Sequence, residues 1–149
     1  MFIQNAVVEK SIELENSVYL LKLYCPEIAS VIRPGQFLNI KVSETIQPLL
    51  RRPFSVCDVE GECFYIMFNV LGEGTQMLKD KKKGELIDVL GPLGNGFSFE
   101  GDYEVPVIVA GGLGAAPFPF FLKKIKPGQN PVCFIGGRSQ KDVIKYNLK

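Results

Sequence analysis

The chain of 149 residues contains no histidine. Without an imidazole there is no Ser-His or Cys-His nucleophile, and most catalytic metal sites are excluded. Chemistry must then come from carboxylates, lysines or a bound cofactor. Hydride transfer suits such a chain, because the cofactor carries the reaction. Cysteine is sparse: Cys25, Cys57, Cys63 and Cys133 form no C-x-x-C pair and no zinc or iron–sulfur spacing. They read as reduced, mostly buried thiols, with no metal site. Neither sign of charge is in excess. The net charge is +1, so composition makes no electrostatic case for nucleic acid or an anionic membrane. No apolar run approaches the ~20 residues needed to cross a bilayer. Residues 1–5 lack the basic start and apolar run of a signal peptide, so the expected compartment is the cytoplasm.

Hydrophobic content is an ordinary 46%, and 15 glycines with 10 prolines imply many turns. The length allows one domain or two small ones. Up to residue 101 the pattern is one of short strands separated by turn signals. Residues 3–14 and 18–24 suit a hairpin around a turn at 15–17. Arg33-Pro34-Gly35-Gln36 suits a type II turn, with Pro and Gly at its centre. Residues 37–42 alternate apolar and polar, as a half-buried strand does. Residues 63–70 are apolar on both faces. Residues 75–83 read as a short helix, with Thr75 as N-cap, Gly84 at C′ and three lysines near its negative end. Residues 85–90 form another strand, closed by the turn Gly91-Pro92-Leu93-Gly94-Asn95-Gly96-Phe97. Six short strands with one helix argue for a small antiparallel barrel.

The pattern changes after residue 101. Residues 105–110 are a continuous β-branched run, as in a strand buried on both faces. A glycine-rich turn follows, then a helix start at 117–124 and a second strand at 131–135. This is the opening of a doubly wound sheet. The expected domains are therefore 1–101, a barrel, and 102–149, part of an α/β lobe.

Four stretches carry possible chemistry. In Arg52-Pro53-Phe54-Ser55 a cation, an aromatic ring and a hydroxyl sit within four residues. Strand geometry puts Arg52 and Phe54 on one face and Pro53 and Ser55 on the other. Such a strand can meet a ligand that is anionic at one point and aromatic at another, as a flavin dinucleotide is. A surface arginine before a proline-blocked edge strand is the alternative. Gly72-x-Gly74-Thr75 opens a helix, where free amides and the dipole attract a phosphate. Gly91 to Phe97 is either a hairpin turn or backbone held close to something. Gly111-Gly112-x-Gly114 lies between a buried strand and a helix, where a dinucleotide fingerprint belongs, but departs from G-x-G-x-x-G.

In order, Arg-Pro-Phe-Ser, Gly-x-Gly-Thr, Gly-Pro-Leu-Gly-Asn-Gly-Phe and Ala-Gly-Gly-x-Gly-x-Ala-Pro resemble the ferredoxin–NADP reductase-like flavoproteins. Within that superfamily the chain looks most like the electron-transfer subunit of the two-subunit, NAD-dependent dihydroorotate dehydrogenase of pyrimidine biosynthesis. Related sulfhydrogenase and ferredoxin–NADP oxidoreductase subunits look similar. The resemblance implies a six-stranded FAD-binding barrel followed by an NAD(P)-binding α/β lobe. It implies that Arg52 pairs with the FAD pyrophosphate, and that Gly72, Gly74 and Thr75 complete that cradle. It implies that Phe54 packs on the flavin or its ribityl chain, next to Pro53. Ser55 would be the catalytic hydroxyl near flavin N5, and Gly111, Gly112 and Gly114 would admit the nicotinamide nucleotide. The implied activity is FAD-dependent passage of electrons from NAD(P)H to a catalytic dehydrogenase subunit or another redox protein, in a hetero-oligomer.

The chain departs from that family in two ways. The segment after residue 102 is shorter than a doubly wound domain, which belongs among domains of ~100–150 residues. The family's [2Fe–2S] ligands are absent. A lone βαβ piece is expected to leave two sheet edges and one face uncovered. A flavin-binding module without NAD(P)H oxidation, or a truncated remnant, are the alternative readings.

Overall fold

A computed structural model describes the chain except residues 15, 16, 44, 46, 102, 145 and 147–149, and the side chain of Lys141. Six strands close an antiparallel barrel in the order β1-β2-β5-β4-β3-β6. They are β1 (Phe2–Glu13), β2 (Val18–Tyr24), β3 (Phe37–Lys41), β4 (Arg52–Glu60), β5 (Cys63–Asn69) and β6 (Leu86–Leu93). A short helix α1 (Pro26–Ala29) follows β2, and α2 (Glu73–Asp80) links β5 to β6. The expected turn at 15–17 lies largely outside the described residues, but β1 and β2 pair antiparallel as a hairpin requires.

Alternation along each strand builds the core. Tyr19, Leu21 and Leu23 of β2 join Phe64, Ile66 and Phe68 of β5 inside the barrel. The intervening residues Val18, Leu20, Tyr65 and Met67 form a second apolar cluster with Cys57 and Ala116. Leu113, Ile144 and Tyr146 pack on this outer cluster. So β5 is apolar on both faces because the chain's own C-terminal part covers its outside.

The Arg33–Gln36 turn forms as its sequence predicts. Gly35 takes φ +85° and the Gln36 amide donates to the Arg33 carbonyl over 3.1 Å. The Gly91–Phe97 stretch packs onto that turn. The Phe97 amide donates to the Pro34 carbonyl at 2.8 Å, and Gln36 Nε2 donates to the Gly94 carbonyl at 2.8 Å. A Cβ on Gly96 would sit 2.8 Å from the Pro34 oxygen. The backbone there is thus held close to the chain itself. β6 also runs through Gly91 and Pro92 to Leu93, three residues past its expected end, pairing Gly91 with Phe2 and Leu93 with Phe37.

Beyond the barrel, β7 (Val107–Gly111) and β8 (Val132–Gly136) form a two-stranded parallel sheet. A 3-10 turn at Gly112–Ala115 and a helix α3 (Phe118–Leu122) connect them. The helix is shorter than the expected 117–124: Pro117 is its N-cap and Lys123 its C-cap. The strand read as buried on both faces is not. Ile108 is buried, whereas Val107 and Val109 are 61% and 75% exposed. The turn Gly112–Ala115 packs on β5, β7 and β8, so one face of the sheet lies toward the barrel. Nothing among the described residues covers the other.

α3 is tied to the barrel by charge and by rings. Lys123 Nζ donates to Asp58 Oδ2 at 2.5 Å, where Asp58 is only 4% exposed. Phe97 stacks on Phe118 with centroids 5.6 Å apart, and Phe99 stacks on Phe121 at 5.1 Å. None of the helices among the described residues is long and apolar enough to cross a membrane.

Candidate functional site

The sequence places two arginines side by side at the start of β4, and the structure gives them different work. Arg51 is consumed internally. Its Nη2 meets Asp88 Oδ2 at 2.6 Å, and its Nη1 donates to the carbonyls of Asn39 and Asp88 at 3.2 and 3.3 Å. It stitches β3 to β6. Arg52 donates to the Leu50 carbonyl, and no carboxylate among the described residues pairs with it. Its guanidinium lies along the first turn of α2. A Cβ on Gly74 would sit 3.5 Å from Arg52 Nε and 3.7 Å from Cζ. The tightest neighbour of that Cβ would be Val42 Cγ2 at 3.2 Å, with Arg52 in ordinary contact, so Gly74 packs the helix start closely on Val42 and Arg52.

Helix α2 begins earlier than its sequence suggests. Its N-cap is Gly72, so Thr75 stands at the third helical position, not at the cap. The Thr75 hydroxyl still does capping work. It accepts from the amides of Leu71 and Gly72 at 2.9 and 3.2 Å and donates to the Gly72 carbonyl at 3.0 Å. The first-turn amides of Glu73 and Gly74 have no intrahelical acceptor, as at any helix start. The C-cap is Lys81, so Gly84 is not the C′ residue and only Lys79 lies in the last turn. Arg52, Gly72, Gly74 and Thr75 thus form one corner. It combines a planar cation with a helix N-terminus, and a Cβ on Gly72 would meet only open space. This donor set fits a phosphate or pyrophosphate.

Phe54 shares the strand face of Arg52, opposite the inward-facing Leu38 and Ile40, and Pro53 and Ser55 take the other face. Phe54 is 9% exposed and packs edge-to-face on Phe68 inside the barrel, centroids 5.8 Å apart. Pro53 is exposed and Ser55 is half-buried opposite Phe37 of β3, on the outer side of β4.

A second concavity of about 580 Å³ lies between the barrel and the C-terminal ends of β7 and β8. Gly111 and Gly112 line it, with Gly136, Gly137 and Arg138 from the end of β8. Gly114 is not among its lining residues and is exposed. Leu113, Asp142, Ile144 and two barrel residues, Val18 and Asn69, complete the wall. Asn69 carries no motif signal in the sequence, yet its Oδ1 is buried without a hydrogen-bond partner among the described residues. Gly72 follows Asn69 by three residues, a reach of ~10 Å at most. The end of β5 therefore joins the cationic corner to the crevice.

None of the four thiols lines the crevice. Burial pushes the Cys57 thiol up to about 12, and burial also raises Cys25 and Cys63.

No family model matches the chain. It is 38% identical over 150 aligned positions to the electron-transfer subunit of dihydroorotate dehydrogenase B (NAD(+)) from Bacillus cereus strain Q1, and 39% identical to that of strain G9842. Each alignment takes in 98% of this chain and 58% of the relative, so the chain spans little more than half the length of these curated relatives. Among solved structures, it superposes on an NADH-dependent reduced ferredoxin–NADP oxidoreductase, described for flavin-based electron bifurcation. The TM-score is 0.82 at 29% identity, over 96% of this chain and 52% of that one. Ferredoxin–NADP+ reductase from Plasmodium falciparum superposes with a TM-score of 0.76 at 18% identity, over 98% of this chain and 63% of that one, which speaks to the fold alone. The chain thus has the ferredoxin–NADP reductase-like fold, and along nearly its whole length its sequence is similar to the electron-transfer subunit of dihydroorotate dehydrogenase B.

Proposed function

We propose that the chain is an FAD-binding electron-transfer module that takes reducing equivalents from NAD(P)H and hands them to a partner redox protein. The observation that carries this reading is the Arg52–Gly74 corner. An arginine without a carboxylate partner among the described residues is laid on a helix N-terminus, beside a crevice walled in part by glycines. Arg52 would hold the pyrophosphate through its fork, with the first-turn amides of α2 as further donors and Thr75 fixing their direction. Gly72, whose Cβ position is open, lets the phosphates come close to the backbone, and Gly74 lets Arg52 and Val42 pack against the helix start. Ser55, on the outer side of β4 beside Pro53, offers a hydroxyl toward the flavin. Phe54 supports β4 from within the barrel and presents only its exposed edge. Gly111 and Gly112, with Gly114 at the following turn, would let a nicotinamide nucleotide approach the end of β7. When bound, FAD supplies hydride acceptance and one-electron release, which no side chain here can.

The boundary between the two modules falls in this reading near residue 101. By likeness to the dihydroorotate dehydrogenase B subunit, the partner is a catalytic dehydrogenase subunit. A second reading rests on the exposed face of the β7–β8 sheet: the chain binds flavin but does not by itself oxidise NAD(P)H. Purification separates the two. A yellow protein that NADH bleaches without oxygen supports the first. A yellow protein that NADH leaves unchanged supports the second. A colourless product overturns both.

A further inference from the structure

One buried polar atom at the crevice wall has nothing to bind. Asn69 ends β5 opposite Val18 of β2, and paired residues share a face, so its side chain lies on the outside of the barrel. The wall around it is apolar: Val18, Leu113 and Ile144 offer no side-chain donor. Asn69 Oδ1 is closed to solvent and lacks a hydrogen-bond partner among the described residues. A buried acceptor left unpaired opposes folding, and nearly all such groups in proteins are paired. Asn69 as a whole is half-buried and lines the crevice, and the terminal torsion of asparagine is broad, so a rotation turns the oxygen to a ligand. The wall formed by the sheet is of another kind. Arg138, two residues past β8, is the one cation among the described lining residues. The one carboxylate, Asp142, is already engaged: its Oδ2 accepts from the Ser139 amide at 3.0 Å and from the Ser139 hydroxyl at 3.1 Å. A Cβ on Gly111 or Gly136 would meet nothing within 4 Å, so the strand ends leave the space between the walls open.

We infer that Asn69 orients the nicotinamide ring: its carbonyl accepts an N–H of the ring's carboxamide, while the phosphates of the nucleotide lie toward Arg138. An acceptor in apolar surroundings, unpaired until the ligand arrives, selects a ligand with an N–H to give. At the redox end of a nicotinamide nucleotide the carboxamide is the one group that can give it. Asn69 also lies three residues before Gly72, within a reach of ~10 Å at most. A ring held by Asn69 is therefore on the side of the crevice nearest the cationic corner. The inference rests on the nicotinamide role proposed above for the crevice and adds the contact that sets the ring's direction.

The test is calorimetric titration of the full chain with oxidised dinucleotides, which bind without turnover. NAD+ is compared with its 3-acetylpyridine analogue, in which a methyl group replaces the carboxamide NH2, and with ADP-ribose, which has no ring. The natural chain should bind NAD+ at least ~5-fold more tightly than the analogue, a typical gain for one hydrogen bond. In Asn69→Leu that preference should vanish, with ADP-ribose affinity and flavin content unchanged. The urea midpoint of the variant should hold or rise, because the change removes an orphaned acceptor. A merely structural asparagine would instead lose stability and leave the preference intact. The comparison within the natural chain needs no variant to fold. A preference kept in Asn69→Leu, or none in the natural chain, would overturn the role of Asn69 and leave the crevice a nucleotide site. No binding of either dinucleotide would overturn the inference together with the nicotinamide reading, and leave the FAD reading to its own titration.

Discussion

The barrel and the parallel sheet bury their apolar residues to very different extents. The barrel closes on itself, and closure abolishes sheet edges. Its β5 strand has both faces buried, Phe64, Ile66 and Phe68 inside and Tyr65 and Met67 outside. The parallel sheet has two strands, and it presents Val109 and Phe134 to solvent. The cationic corner at Arg52 is built wholly by the closed region. The glycine crevice draws on both, with Asn69 and Val18 from one side and Gly111 and Gly136 from the other. One site is complete on its own terms, and the other depends on a half-covered sheet.

Substitutions can sharpen this contrast. The largest effect is expected in the barrel. Phe68→Ala removes a ring that touches both Tyr19 and Phe54 and should cost ~3–5 kcal/mol in urea unfolding. Val109→Thr on the open face should stay within ~0.5 kcal/mol. Equal losses at the two sites would erase the distinction. Next comes Arg52→Ala, which should weaken FAD by roughly 10- to 100-fold, the worth of a charged hydrogen bond to phosphate. Arg51→Ala should instead lower stability, because Asp88 would lose its ion pair while flavin affinity holds. Fluorescence titration and denaturation measure the two effects separately.

A smaller effect is expected where the regions meet. Lys123→Met leaves Asp58 buried without its cation, and the half-exposed lysine limits the cost to ~1–2 kcal/mol. Hydrogen exchange should then speed in α3 and β8, with the barrel amides unchanged. Loss of protection throughout the barrel would mean the regions unfold as one. A further effect shows only at high pH. Burial raises the Cys57 thiol from about 9 to about 12. The thiol ionises in the unfolded chain first, so this contribution to stability is whole below pH ~9 and lost as pH rises toward 12, by up to about 1.4 kcal/mol per pH unit. Cys57→Val should flatten that part of the stability curve, and an unchanged slope would contradict the assignment.

Much of this architecture could be read from residue order. Alternation in residues 37–42 and the Pro-Gly pair at 34–35 fix β3 and its turn locally, and the structure has both. The glycine motifs fall at the N-cap of α2 and at the end of β7, the strand-to-helix positions their order suggests. What could not be read depends on distant packing. Nothing local distinguishes Arg51 from Arg52; Asp88, on β6, decides which is consumed. The burial of Phe54 depends on Phe68 across the barrel. The apolar run at 105–110 looks the same whether a second face is covered or bare. Thr75 is three residues from the true cap, because Gly72 can start the helix without a capping side chain and the threonine reaches back to it. Asn69 has no pattern of its own and gains its place only when β5 ends against the crevice.

The central claim is that the Arg52–Gly74 corner holds FAD, and direct titration of apoprotein with FAD tests it. The account predicts one FAD per chain, with ADP competing and Arg52→Ala shifting the curve at least tenfold weaker while the fold is kept. Saturable binding at unchanged affinity in the variant, or no binding by the natural chain, would contradict it.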